Sequence, residues 1–421
     1  MNSRDHDVII AGGGLVGAAL ACALADLPLR ILVVEAVPPR APPHSETGQP
    51  SYDDRNTALS YGSQRIVAGL GLWPALEAEA APIRHIHISD RGRLGRAELH
   101  AAEHGVPALG YVTPNRVLGQ ALYARLGALS NVTLRCPAKV VELDMSGARA
   151  RCTIEEGSGR ETVAAALVVV ADGAGSELRT RLGVEVSRFT YGQSAVIANV
   201  TAERPADGWA FERFTEQGPV ALLPRATGPG SNEVAAIITV AEGDAAALAA
   251  APDAAFATVL HERFGDRLGE FTRIGVRAHY PLALTRATRQ VVGRAVVVGN
   301  AAHALHPVAA QGFNLSLRDI AALAEVIADS LAAGGDAGDA AALARYAAWR
   351  AGDQRKMSVL SDGLARVFAN PLATVGVVRS LGLLAFDLLP PAKRAFAKEM
   401  MGLGGRLPRL ARGLPLRERA T

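Results

Sequence analysis

Residues 7–25 read DVIIAGGGLVGAALACALA, and the fold is decided here. Val8–Ala11 is a short apolar run ending in glycines, which predicts a buried strand. From Gly14 to about Leu27 the chain is rich in Ala and Leu, the composition of a helix. A second apolar run, ILVVE at 31–35, completes a βαβ unit. Between strand and helix lies Gly12-Gly13-Gly14-Leu15-Val16-Gly17. A helix that starts there offers free N–H groups and the positive end of its dipole to a pyrophosphate. Side chains at Gly12 or Gly14 would obstruct that approach, and Gly17 allows the helix to pack close to the strand. Glu35 follows Gly17 by 18 residues, where a carboxylate binds ribose hydroxyls. The unit predicts a bound dinucleotide without separating NAD from FAD.

The chain has 421 residues, 49% hydrophobic and 20% charged, a globular balance suited to two or three structural units. Cys22, Cys136 and Cys152 are scattered and form no CxxC pair, which fits a reducing cytoplasm. The start, MNSRDHDVIIAGGG, has no signal-peptide core. Eight Lys and Arg against Glu399 and Glu418 give residues 391–421 a charge of +6; the total is +3, which leaves −3 on the remainder. A basic tail on an acidic body suits either an anionic surface such as the inner face of a membrane or a solvated terminus. Nucleic acid is not expected, because no reading module accompanies the basic residues. The uncharged runs 367–378 and 380–386 fall short of the roughly 18–20 apolar residues of a spanning helix. They predict core packing, an interfacial helix or a partner surface.

Further along, short strands are expected over 82–112, a helix over 114–128 and a strand over 163–172. Residues 183–280 read mainly as β, with a helical stretch at 251–264, and 291–300 reads as one buried strand. Ile320, Leu323, Ile327 and Leu331 share one helical face, and the chain after about 340 reads as helical. Two more small-residue motifs follow buried strands. One is Ala171-Asp172-Gly173-Ala174-Gly175-Ser176-Glu177-Leu178-Arg179. The other is Gly299-Asn300-Ala301-Ala302-His303, continuing through Pro307 to Gln311-Gly312-Phe313-Asn314. Taken alone, each reads equally as a strand-to-loop exit.

Together the three motifs resemble those of the flavoprotein aromatic hydroxylases, the para-hydroxybenzoate hydroxylase class. The resemblance implies that Gly12, Gly14, Gly17 and Glu35 hold the ADP half of FAD. It places Asp172 and Gly173 near the pyrophosphate, with a link to NAD(P)H use, and Gly299 and Asn300 at the ribitol. The helix beginning near Gly312, Phe313 and Asn314 would direct its positive end at the flavin. Asn300 departs from the Asp usual in this class; it still accepts a hydrogen bond but carries no charge. Five stretches narrow the resemblance: DDRNTALS at 53–60, PIRHIHISDRGRLGRAEL at 82–99, YGQSAVIANVTAE at 191–203, FERFTEQGPVALLP at 211–224 and GNAAHALHPVAAQGFNLSLRD at 299–319. They are similar to the ubiquinone-biosynthesis hydroxylases, the 2-octaprenyl-6-methoxyphenol hydroxylase type in particular.

This resemblance implies an α/β fold with a discontinuous, Rossmann-like FAD-binding domain (1–81, 100–182 and 281–345). An inserted β-rich substrate domain (82–99 and 183–280) and a helical C-terminal region (346–421) complete it. It implies FAD, NAD(P)H as electron donor and O2 as co-substrate. The reaction would hydroxylate a polyprenylated phenol through a flavin C4a-hydroperoxide, alongside other ubiquinone-biosynthesis proteins. Arg116 and Arg55 are anion-holding candidates, Arg116 by its place in TPNRVLGQAL. Pro219, Leu222 and Pro307 are expected against the substrate. No catalytic base is evident beyond the candidate His303. The other histidines lack a third ligand at metal spacing, so no metal is expected. Two rival readings remain, a flavin oxidoreductase that inserts no oxygen and a non-catalytic prenyl-lipid-binding protein.

Overall fold

The computed structural model describes residues 5–38, 55–226, 230–305, 311–369 and 373–417. The apolar runs of the opening motif lie side by side in an eight-stranded sheet. Its path runs Val291–Val292, Ala295–Val297, Gly159–Val170, Asp5–Ala11, Ile31–Val34, Val132–Arg135. The four pairings from Ala295–Val297 to Val132–Arg135 are parallel. Such strands must be covered on both faces, which is why they read as unbroken apolar runs. The helices Leu15–Ala23, Asn115–Gly127 and Gln311–Ala332 bury one face. On the other face lies an antiparallel meander of Lys139–Asp144, Ala150–Glu156 and the start of Gly159–Val170.

A second eight-stranded sheet is built mainly from antiparallel strands. Its centre is formed by Val186–Ala202, Glu233–Ala241, Val220–Pro224 and Trp209–Phe214. His85–Asp90 joins Trp209–Phe214 in parallel and Arg96–His100 closes that edge. At the opposite edge Phe271–Ala287 pairs with His303–Ala304, the end of the third motif. One face of this sheet packs Val196, Val220, Leu222 and Ile238 against Phe256, Leu260 and Phe264 of the helix Asp253–Phe264. A three-stranded sheet, Asn56–Ser60, Gly110–Pro114 and Ala81–Ile83, lies between the larger two in sequence.

Three boundaries differ from the sequence reading. The first helix stops at Ala23 rather than near Leu27. The expected single strand at 291–300 is a tight hairpin, because Gly293 takes φ +55° and turns Val291–Val292 back on Ala295–Val297. The basic C-terminal segment is docked on the first unit through 417, with Leu410 and Ala411 buried in its core. Arg409 pairs with Asp329 at 2.7 Å, and Arg406 lies over the Trp349 ring at 4.0 Å. Among the described residues, no helix is long and apolar enough to cross a membrane.

The helices Ala340–Ala369, Ala373–Asp387 and Pro390–Met400 span the edges of both units. Arg379 anchors this layer by donating from Nε and Nη2 to the two Asp90 oxygens, each at 2.9 Å, with both side chains buried. Removing one partner of a buried ion pair strands the other. Asp90→Ala is therefore expected to cost about 3–5 kcal/mol in urea unfolding, while Asp90→Ala/Arg379→Leu recovers part of that loss.

Candidate active site

The three small-residue motifs meet at the carboxyl ends of the parallel strands, where ligands bind in open α/β sheets. Gly12 has φ +108°, and a Cβ there would stand 2.4 Å from the Ala171 carbonyl oxygen. A Cβ on Gly17 would be 1.9 Å from the Gly12 carbonyl oxygen. These contacts bring the first and second motifs together and bring the helix hard against its strand. Gly14 caps that helix and, having no side chain, makes no cap hydrogen bond of its own. Glu35 is 7% exposed and accepts from Gly13 N–H at 2.6 Å and Val37 N–H at 2.7 Å. Tyr123 Oη donates to the Gly13 carbonyl at 3.0 Å. Gly13 and Tyr123 were not singled out from sequence. Nothing in the helix pattern of 114–128 marks Tyr123 as facing the loop.

The second and third motifs are joined by Arg179, whose Nη1 donates to Ala301 O at 2.9 Å and Ala174 O at 3.3 Å. Burial pushes the Asp172 carboxyl above its ordinary range, against hydrogen bonds from Ser176 and Leu178 N–H that favour the charged form. Gly299 has φ +63° and sits over Val16, 3.1 Å from a notional Cβ, while Asn300 is exposed. The cradle of backbone, helix terminus and ribose-reading acid fits the ADP portion of FAD.

The other expected residues have partners within the protein or lie outside the described residues. Asn314 spends its side chain within the protein, accepting from Ser60 N–H and donating to Ala58 O, each at 2.9 Å. That fixes the first turn of Gln311–Ala332 against the strand Asn56–Ser60, leaving the backbone at Gln311, Gly312 and Phe313 as the helix terminus. Arg116 donates to Glu79 at 2.7 Å, and Arg55 lies over the Tyr280 ring at 4.6 Å. Pro307 lies outside the described residues. His85 and His100 face each other at 2.9 Å beside Trp209, and no His, Cys, Asp or Glu cluster among the described residues could hold a metal.

His303 is not brought to the substrate side. It is 2% exposed and its Nε2 is 2.7 Å from Asp319 Oδ2. Asp319 has no exposed surface and also accepts from Arg350 Nε at 2.6 Å and Gln354 Nε2 at 2.9 Å. Burial alone would raise the Asp319 carboxyl; Arg350 and His303 override it and hold the group below its usual range. Arg350 and Arg318 in turn share Asp353. A base must reach the proton it removes, and the buried pairing makes His303 a fastening for the third motif instead.

A cavity of about 560 Å³ opens between the second sheet, the three-stranded sheet and the C-terminal helices. Its lining includes Pro219, Ser60, Asn314 and Ala58, which packs with Leu223, together with Leu364, Leu383 and Phe386 of the C-terminal helices. Strand alternation decides which side chains enter it. Ala221 and Leu223 line the cavity, whereas Leu222 faces the opposite side and belongs to the core against Phe256 and Leu260. The expected Leu222 contact is therefore corrected by one residue. Glu212, on the neighbouring strand, also lines the cavity and was missed in the sequence because ERF reads as an ordinary surface alternation.

Residues 5–357 match the family described as FAD binding domain. Ubiquinone hydroxylase UbiL of Rhodospirillum rubrum is 40% identical over 97% of this chain and 93% of its own. The 3-demethoxyubiquinol 3-hydroxylase of Escherichia coli is 32% identical over 96% of this chain and all of its own. The p-nitrophenol 4-monooxygenase of Pseudomonas putida shares the fold, with a TM-score of 0.77 at 18% identity over 96% of this chain and 99% of that one. The chain belongs to the FAD-binding monooxygenases, and within them to the group defined by the ubiquinone hydroxylases. It is an FAD-dependent aromatic hydroxylase, a class that draws electrons from NAD(P)H and oxygen from O2.

Gly17→Ala should yield protein that retains no yellow flavin on purification, whereas Glu35→Gln should keep its fold and bind FAD about 10-fold more weakly by fluorescence titration, the loss of roughly one hydrogen bond's net contribution. Asp319→Asn should lower Tm and flatten the acid side of the stability profile. The depressed Asp319 carboxyl contributes stability that is present above its unfolded pKa and lost as pH falls through its folded value. Thermal scans across acidic to neutral pH in both proteins check this.

Proposed function

We propose that this enzyme hydroxylates the aromatic ring of a polyprenylated phenol in ubiquinone biosynthesis, with 2-polyprenyl-6-methoxyphenol as its substrate. The observation that carries the reading is the shape and lining of the 560 Å³ cavity. Asn314 and Ser60, which this reading puts beside the flavin, share its lining with Leu360, Leu364, Leu383, Phe386 and Phe396. A hydrocarbon tail gains about 0.8 kcal/mol for each buried CH₂, so an apolar passage of this kind selects a prenyl chain over water.

Bound FAD supplies the redox chemistry that activates O2 for ring hydroxylation. The protein's own part is to bind, orient and exclude water. Gly12, Gly14, Gly17 and Glu35 hold the adenosine and pyrophosphate; Asp172, Gly173, Gly299 and Asn300 face the remainder of the cofactor. Pro219, Ala221 and Leu223 cover the ring. In this reading residues 82–99 and 183–280 form the substrate-covering unit and 346–421 close the tail end. That end also carries Leu381, Leu388 and Leu389 on the outside, 54–78% exposed, beside exposed Arg394 and Lys398. Exposed leucines flanked by basic side chains suit an anionic leaflet. We assign peripheral contact with the inner face of the membrane, where the substrate and the other ubiquinone-biosynthesis proteins would be met, to this face.

The test is turnover of short-chain prenylated phenols with NADPH and isotopically labelled O2. One labelled oxygen atom should enter the ring; product without label would instead indicate an oxidoreductase that inserts no oxygen. A 6-methoxyphenol and a demethoxyquinol substrate run in parallel distinguish the ring position. Leu383→Trp, which fills the tail end, should raise KM for a farnesylated phenol about 10-fold, a loss of roughly two buried methylenes, and leave an unprenylated phenol unaffected.

A further inference from the structure

Glu212 sits where a carboxyl group needs a reason. It lies on Trp209–Phe214 directly opposite Ala221 on one neighbouring strand and Ile88 on the other. Ala210 and Phe214 flank it along its own strand, and all four line the same cavity. Asn56, Ser60, Thr239, Gln311 and Asn314 are the other polar residues of the lining. Among the described residues, neither sheet, the start of Gln311–Ala332 nor the C-terminal helices contribute a second ionisable group to that lining. Burial, with no partner to offset it, pushes the Glu212 carboxyl up to about 8. The surface that Glu212 retains is turned into the cavity.

We propose that Glu212 is the catalytic residue that receives the phenolic hydroxyl of the substrate and takes its proton. The proposal rests on the hydroxylase reading above and deepens it. A phenol whose O–H meets this carboxylate is held inside the cavity, where the largely apolar lining is open to its prenyl tail. In the proton step the phenolic O–H bond breaks and its electron pair stays on oxygen. A new O–H bond forms on a Glu212 oxygen, converting carboxylate plus phenol into carboxylic acid plus phenolate. The electron pair on oxygen raises electron density at the ortho and para carbons, the positions open to an electrophilic oxygen atom. A carboxylate desolvated in this way is a stronger base than one in water and is better matched to a phenol.

The experiment uses the FAD-loaded enzyme with a farnesylated methoxyphenol and its methyl ether. In the wild type, kcat should rise with pH through about 8, as the carboxylate form appears. Glu212→Gln should lose that limb and about 100-fold in kcat, the scale of a removed general base, with a much smaller change in KM. By tryptophan fluorescence, the wild type should bind the phenol at least about 10-fold more tightly than the ether, a charge-assisted hydrogen bond's difference, and Glu212→Leu should bind the two alike. Melting temperatures give a readout independent of turnover. The raised pKa contributes stability present at low pH and lost as pH rises through its folded value, so Glu212→Gln should gain on the wild type as pH rises from 5 to 9, a span bracketing that value. An unchanged pH profile and kcat in Glu212→Gln, in a wild type that does hydroxylate the phenol, overturns the assignment of Glu212 alone. A wild type that binds and hydroxylates neither compound overturns the hydroxylase reading, and this proposal with it.

Discussion

Asp319 has no surface in contact with water, and burial opposes its charge. The carboxylate persists because Arg350, His303 and Gln354 reach it from three directions. Those partners belong to separate parts of the chain: the end of the third motif, and the helix Ala340–Ala369 twice. Asp319 itself stands on Gln311–Ala332, which carries Gln311 and Asn314 in the cavity lining. One buried charge therefore fixes the loop after Ala295–Val297, the helix that follows it and the C-terminal layer together. An ion pair of this kind adds little net stability over a well-packed apolar substitute, but it penalises every arrangement that leaves a member unpaired. Its contribution is to specify geometry, which a site assembled from three distant loops requires.

The same constraint explains why His303 is turned away from the cavity. A histidine two residues beyond Ala301 looks placed for proton transfer when only the sequence is known. Its Nε2 is already engaged, and its ring does not line the cavity. The residue that does enter the cavity, Glu212, is unremarkable in sequence. Only the register, with Ala221 on one side and Ile88 on the other, reveals that its neighbours are all apolar.

The parts legible in the sequence are those governed by short-range rules. Gly12 and Gly17 have to be glycine because backbone atoms occupy the space a Cβ would need, and that demand shows as a motif. Apolar runs at 8–11, 31–34 and 163–170 show as strands because both faces of a parallel sheet are buried. The α/β class and a bound dinucleotide followed from these; that the dinucleotide is FAD came from the resemblance. What stayed hidden depends on pairing between distant strands. Leu222 and Leu223 are equally apolar, and period-two alternation alone cannot say which of the pair meets the helix Asp253–Phe264 and which meets the cavity. Tyr123 and Arg179 act through contacts to Gly13 O and Ala301 O, more than 100 residues away in each case.

The C-terminal helices then take on a role that composition left ambiguous between core packing and an exposed surface. They do both, on different sides. Leu364, Leu383 and Phe386 turn inward to form the apolar end of the cavity, while Leu381, Leu388 and Leu389 remain outside. The C-terminal helices thus stand between the cavity and a group of exposed leucines. The Arg379–Asp90 pair holds those helices to the strand His85–Asp90, which also carries Ile88 beside Glu212. On the proposed reading, a prenylated phenol with a polar head and a long apolar tail would find one carboxyl, Glu212, in a cavity whose other lining is largely hydrocarbon. Orientation would then come from that one polar contact, with no need for a hydrogen bond anywhere along the tail.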